Sequence, residues 1–348
     1  MNNLALRKQL TTGNYPLQAY KILGDEKGAT LTATLIEFIT DVYRGLEPSH
    51  YQGKLLIFIT LDDSIPIDTA NAIKFYDKNI LINNTSRTIA IQLFQKEDFP
   101  LIWQGEDTEQ VINQRNAITY LYENRVECFY VNGEKIDIEN YLGCASTFSL
   151  HYQHLHEALE NYKKEKILHS SCSIFQRAWF DSTRIYFKNA PEDTMQESLK
   201  EYLSSYMRGV EVSRECNLGG GKPVDIKVSW KEANRAAIIE VKWLGYSRAE
   251  NSITTKYSNS RSNDGMEQLK EYMDLANQDW PSCITKAYLV VIDGRRKGVG
   301  STIRTSISAQ DGLHFAEIEL DIEEDKKYFN NIVGFEMPFR MFSRPVCV

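Results

Sequence analysis

Hydrophobic and polar positions follow two different periods along this chain, and the changes of period mark where its elements lie. Residues 31–43 (LTATLIEFITDVY) carry apolar side chains at helical spacing and predict a helix. Residues 54–61 (KLLIFITL) are a short apolar run, the pattern of a buried strand, and they end at Asp62-Asp63. Strands are also predicted at 80–82 and 87–94 (RTIAIQLF), separated by the turn-prone Asn83-Asn84-Thr85-Ser86. Residues 109–122 read as a helix. Residues 126–131 and 135–138 read as a hairpin closed by Asn132-Gly133, a strong two-residue turn signal. This half is an α+β pattern. A helix over 151–166 follows, and the expected division is into residues 1–165 and 166–348.

The second half begins with an aromatic-rich stretch, 173–187, and then a helix opened by Pro191. Met195, Leu199, Tyr202, Leu203 and Tyr206 form its apolar stripe, and Gly209 ends it. Glu192 falls on the flank of that stripe, whereas Glu197 points away. A strand at 210–215 and a glycine loop at 217–222 lead into PVDIKVSW, the polar turn KEANRA, and AIIEVKWLG. Strand side chains alternate, so Asp225 lies opposite the face of Val224, Ile226 and Val228, while Glu240 and Lys242 project together. Folding at 231–235 makes a hairpin and brings one acid beside an acid–lysine pair. Two carboxylates and an ammonium on a sheet can hold a divalent cation and a water, which suits phosphodiester cleavage.

Residues 245–265 are largely polar and read as a long loop carrying Arg248, Lys256 and Arg261, which fits a flap over a phosphate chain and also an idle surface loop. A helix at 266–276 places Gln268 and Tyr272 four apart on one face. A buried strand at 287–292 (AYLVVI) ends in a basic turn with Arg295, Arg296 and Lys297. One or two strands are predicted within 313–348, among them LHFAEIEL (313–320), with an acidic turn at 321–325, and the apolar tail is expected to close the core or a dimer contact.

Composition narrows this picture. With 348 residues, 42% hydrophobic and 25% charged, the chain suits two soluble domains, each with its own core. No apolar run reaches spanning length and no signal-peptide pattern opens the chain, so a cytoplasmic protein without membrane contact is expected. The six cysteines are scattered and read as free thiols. A net charge of -7 argues against general attraction to nucleic acid and confines any such site to a local basic patch. His151 and His154 share a helical face near Cys144, but no second ligand pair at metal-site spacing accompanies them, and an aromatic, His-rich helix face accounts for them as well. Asp62-Asp63 at a strand end has the ordinary reading of a turn.

The order of helix with Glu192, strand, strand with Asp225, strand with Glu240-Val241-Lys242, helix and strand resembles the PD-(D/E)XK (restriction-endonuclease-like) nuclease superfamily. Its signature stands here as Pro223-Val224-Asp225 followed by Glu240-Val241-Lys242, with Val224 inserted between the proline and the acid. Gln268 to Tyr272 resembles the QxxxY element of RecB-type members. The resemblance covers about residues 192–297 and implies an αβββαβ core, a mixed sheet flanked by helices. It implies that Asp225, Glu240 and the Val241 carbonyl, with Glu192, hold Mg²⁺ or Mn²⁺. Lys242 would orient or help deprotonate the attacking water, and Gln268 and Tyr272 would position the lysine or the substrate. Arg248, Lys256, Arg261, Arg295 and Arg296 would contact nucleic acid, DNA more than RNA. By analogy the chain would be an endonuclease of prokaryotic restriction or anti-phage defence and a homo-oligomer. Its N-terminal domain would recognise a protein partner or a small-molecule activator. The alternative is an inactive member of the fold that binds nucleic acid or protein within a larger complex.

Overall fold

The computed structural model describes residues 14–24, 26–63, 72–76, 79–82, 84–96, 99–105, 108–138, 146–217, 223–230, 233–281, 283–300 and 302–348. The chain divides into two compact units, Met1–Gln153 and His154–Val348.

The first unit contains α1 (Tyr15–Leu23), α2 (Glu26–Gly45), β1 (Lys54–Thr60), β2 (Ile73–Lys74), α3 (Asn79–Ile82), β3 (Ile89–Leu93), β4 (Leu101–Gln104), α4 (Thr108–Ile112), β5 (Ala117–Glu123), β6 (Val126–Val131) and β7 (Glu134–Asp137). The strands form one mixed sheet in the order β2-β4-β3-β1-β5-β6-β7, with β1 parallel to β3. The continuous apolar run of β1 is buried on both faces. Leu55, Ile57 and Ile59 meet Leu35 and Ile39 of α2, while Leu56 and Phe58 join Trp103 and Val111.

Two sequence expectations change here. Residues 80–82 belong to the helical turn α3. The helix expected over 109–122 stops at Ile112, and Asn116 takes a left-handed conformation before β5 begins. Aromatic and β-branched side chains such as Ile118, Tyr120 and Tyr122 favour a pleated surface, and all three are buried. Asp63 has the turn role, accepting a hydrogen bond of 2.8 Å from the Gln95 N–H.

The second unit takes in most of α5 (Leu150–Asn161), a π-helical turn (Tyr162–Ile167), α6 (Ser173–Gln176), β8 (Phe187–Lys188), α7 (Glu192–Tyr206), β9 (Glu211–Cys216), β10 (Val224–Trp230), β11 (Arg235–Ala249), β12 (Ser252–Tyr257), α8 (Ser260–Asp279), β13 (Ile284–Asp293), α9 (Ala309–Gly312), α10 (Tyr328–Asn331) and β14 (Phe339–Phe342). Its sheet runs β14-β13-β11-β10-β9, with β12 and β8 on the distal part of β11. β9, β10 and β11 form an antiparallel meander, whereas β13 and β14 run parallel to β11. Both units are thus mixed α/β. α8 covers one face of this sheet through Met266, Leu269 and Met273, packed with Leu289 and Val291.

The polar stretch 245–265 is ordered secondary structure instead of a loop. β11 runs on to Ala249, the chain turns at Glu250 in a left-handed conformation, and β12 pairs back before α8 starts at Ser260. Alternation survives there in Tyr246, Ile253 and Tyr257 among serines and threonines, and threonine itself suits a strand. Of the one or two strands expected within 313–348 one forms, β14 beside β13, whereas residues 313–320 form none. In α7, Met195, Leu199 and Leu203 are buried as expected, but Tyr206 is exposed, and Gln196 and Ser198 are buried as well. Residues 218–222 of the glycine loop lie outside the described residues. No helix among the described residues is long and apolar enough to cross a membrane.

Candidate active site

The β10–β11 hairpin sets Ile226 opposite Ile239 and so delivers Asp225 beside Val241. There the carboxylate replaces the backbone ladder: the Val241 N–H donates to Asp225 Oδ2 at 2.7 Å. On the same stretch of β11 the Lys242 ammonium donates to Glu240 Oε1. It also donates to Glu192 Oε1, from the first turn of α7, at 3.2 Å. The other oxygen of Glu192 faces Arg261 of α8 at 3.5 Å. Three carboxylates and two cations therefore converge from β10, β11, α7 and α8. The cluster has a floor and a mouth. Glu240 and Lys242 side chains are only 2% and 4% exposed, whereas Glu192 and Arg261 are 26% and 23% exposed.

One face of α8 lines the cluster. Arg261, Gly265, Gln268 and Tyr272 follow at spacings of four, three and four, so they form a single stripe. Arg261 meets Glu192. A Cβ on Gly265 would lie 3.0 Å from Lys242 Cγ. Tyr272 donates from its hydroxyl to the Pro223 carbonyl at 3.1 Å. Gln268 lies between them on the stripe, and its buried Oε1 has no hydrogen-bond partner. The predicted Asp225, Glu240, Lys242, Glu192 and Tyr272 are thus brought together, and Gln268 is placed on their helix face.

Burial and mutual repulsion set the charge states. Burial raises Asp225, against the lowering effects of the Val241 N–H and Lys242. Glu240 is raised by burial and then by Asp225. Burial alone would lower Lys242, but Glu240, Glu192 and Asp225 outweigh it and the net direction is upward. The ammonium is therefore charged here, a proton holder and hydrogen-bond donor instead of a ready base. Tyr272 is pushed up by burial and by the Glu240 and Asp225 charges, so its hydroxyl keeps its proton.

The remaining basic candidates separate into different roles. Arg248 stacks 4.3 Å from the Phe180 ring centroid and donates to the Glu250 carbonyl. Lys256 is exposed on β12, over Tyr246. Arg295 and Arg296 are not a free basic strand end. Arg295 chelates the fully buried Asp293 and holds Asn259 Oδ1 at 2.9 Å, just before α8. Arg296 is buried and donates to the carbonyls of Ser343 and Arg184. His156 belongs to a different buried group, 3.5 Å from Glu336, and His154 is exposed. Sequence reasoning missed Gly265 and Tyr257, whose ring lies 4.8 Å from the Arg261 guanidinium. A helical glycine and a tyrosine in a polar stretch carry no signal until their neighbours are known.

Among the described residues, no group of three or more His, Cys, Asp or Glu is arranged to hold a metal ion. In the cluster the Lys242 ammonium lies between Glu240 and Glu192. Glu240 Oε2 is buried without a hydrogen-bond partner, an unused hard oxygen beside Asp225. Asp225, Glu240 and Glu192 are the carboxylates of the cluster, and in this arrangement they form no such group. The chain matches no family model, no curated protein and no solved structure.

Proposed function

We propose that the second unit is a metal-dependent nuclease with a PD-(D/E)XK-like core, acting on phosphodiester bonds of DNA. The observation that carries this reading is the convergence of Asp225, Glu240, Lys242 and Glu192 on one sheet face beneath the Arg261–Tyr272 stripe. Hard carboxylate oxygens suit Mg²⁺ or Mn²⁺, and the unpartnered Glu240 Oε2 is consistent with such a role. Asp225 and Glu240, with the Val241 carbonyl and Glu192, would hold the ion. When bound, it would polarise the scissile phosphate and offset its charge.

The chain's own groups do the rest. Lys242, charged and fixed between two carboxylates, donates a hydrogen bond to orient the attacking water. Gly265 lets α8 approach the lysine stem closely, and Tyr272 braces the start of β10 through Pro223. In this reading the first unit recognises a protein partner or small-molecule activator. The chain acts as a homo-oligomer in prokaryotic restriction or anti-phage defence.

Cleavage assays on plasmid, single-stranded DNA and RNA in Mg²⁺ or Mn²⁺ test this. Glu240→Ala and Lys242→Ala are expected to cut at least about a hundredfold more slowly than wild type. Equal cutting by both variants sinks the assignment.

A further inference from the structure

We propose that Arg261 is a catalytic residue for the scissile phosphate, held on Glu192 until Glu192 turns to a metal cation. This rests on the nuclease reading above and adds to it the group that meets the substrate's negative charge.

The geometry separates Arg261 from the other cations of the unit. Lys242 is enclosed, with carboxylates on two sides and 4% exposure. Arg214 is bound to Asp193, and Arg295 and Arg340 are committed to Asp293. Arg261 is at the mouth and loosely held: its nitrogens lie 3.5 Å from Glu192 and 3.6 Å from Asp264, both beyond good hydrogen-bond length. Its Nε is buried without any hydrogen-bond partner. A guanidinium offers a fork of donors matched to two phosphate oxygens, and here that fork is only partly used.

Its surroundings fix the group without consuming it. Tyr257 lies beneath the guanidinium, and that ring packs edge-on against Trp243 at 4.6 Å. Asn259, immediately before α8, is anchored by Arg295. A cation in the first turn of a 20-residue helix meets the positive end of its dipole, so helix stability does not explain the arginine there. That same end favours a phosphate.

The exchange is a matter of charge. Glu192 pairs with Lys242 through one oxygen and with Arg261 through the other. With the Glu192 charge offset by a bound cation, the guanidinium would be free to meet a non-bridging phosphate oxygen. Water then forms its bond to phosphorus and loses a proton to solvent. The P–O3′ bond breaks with its electron pair on O3′, which takes up a proton from solvent, leaving a 5′-phosphate and a 3′-hydroxyl. Arg261 offsets the charge that builds on the equatorial oxygens during this step.

The test uses the full-length chain and a fluorescent DNA duplex, read by cleavage in Mg²⁺ and by binding in EDTA. Arg261→Ala is expected to lower cleavage at saturating DNA about a hundredfold. In EDTA Glu192 still holds the guanidinium, so Arg261→Ala is expected to leave binding and its salt dependence close to wild type. Glu192→Gln releases the guanidinium and is expected to tighten binding in EDTA, steepening the slope of log K against log salt by about 0.9, the mark of one gained phosphate contact. Adding Arg261→Ala cancels that gain, whereas adding Arg261→Lys keeps it. In Mg²⁺ Arg261→Lys alone recovers only part of the cleavage. If Arg261→Ala keeps wild-type cutting while Glu240→Ala is inert, or if Glu192→Gln gains nothing in EDTA, the role is refuted. Full cutting by Glu240→Ala instead overturns the nuclease reading and this role with it.

Discussion

Gly265 is where a single methyl group separates two outcomes. A Cβ there would lie 2.7 Å from Leu289 Cδ1 and 3.0 Å from Lys242 Cγ, so both buried side chains would have to move. Alanine gains about 0.5–1 kcal/mol of helix propensity over glycine, while overpacking a core costs about 1–3 kcal/mol. Gly265→Ala is therefore expected to lose roughly 1 kcal/mol in urea denaturation, and to lower cleavage more than DNA binding because the lysine stem is displaced. A variant as stable and as active as wild type would show that the helix can back away freely. The meeting of Asp225, Glu240 and Lys242 was legible in the sequence because strand alternation and the hairpin bring them together. Gly265 was not, since its meaning lies entirely in how near β11 approaches.

The elements of the second unit are tied together at the end of β13. Asp293 is fully buried and accepts from Arg295 and Arg340, joining β13 to β14 and, through Arg295 and Asn259, to the start of α8. Removing one member of a buried ionic group leaves the others uncompensated. Asp293→Ala is expected to cost about 3–5 kcal/mol in thermal or chemical denaturation. A loss below about 1 kcal/mol would mean that the two arginines find other partners. This cluster explains why the basic turn 295–297 misled sequence reading: the pattern gives the cations but not the acid buried beneath them. Helix α7, strand β9, the β10–β11 hairpin, most of α8 and strand β13 were legible from periodicity. Residues 245–265 were not, because serine and threonine blur the alternation that Tyr246, Ile253 and Tyr257 keep. Residues 313–320 alternate like a strand, yet β14 from the tail occupies the place beside β13.

At the scale of the whole molecule, acid stability depends on a group remote in role from the site. Glu336 accepts from Lys286 at 2.8 Å and lies 3.5 Å from His156. Burial alone would raise its carboxyl, but Lys286 and His156 outweigh it and hold it at about 2. A folded value below the unfolded one of about 4.5 means stability that is present above pH 4.5 and lost as pH falls toward 2, worth about 3 kcal/mol. Melting curves from pH 5 to pH 2 are expected to fall more steeply for wild type than for Glu336→Gln, and parallel curves would remove Glu336 from the account. The first unit, by contrast, was legible as a fold class and silent as to function, because its motifs are those of packing. The stripe along α8 carries one more consequence, for how the chain can change in length. Each residue of a helix turns the next by about 100°, so one insertion between Arg261 and Tyr272 would swing everything beyond it off the cluster. The turn at Glu250 between β11 and β12 carries no such constraint, and extra residues there would only lengthen a loop. Within α8, spacing is as strict a requirement as identity.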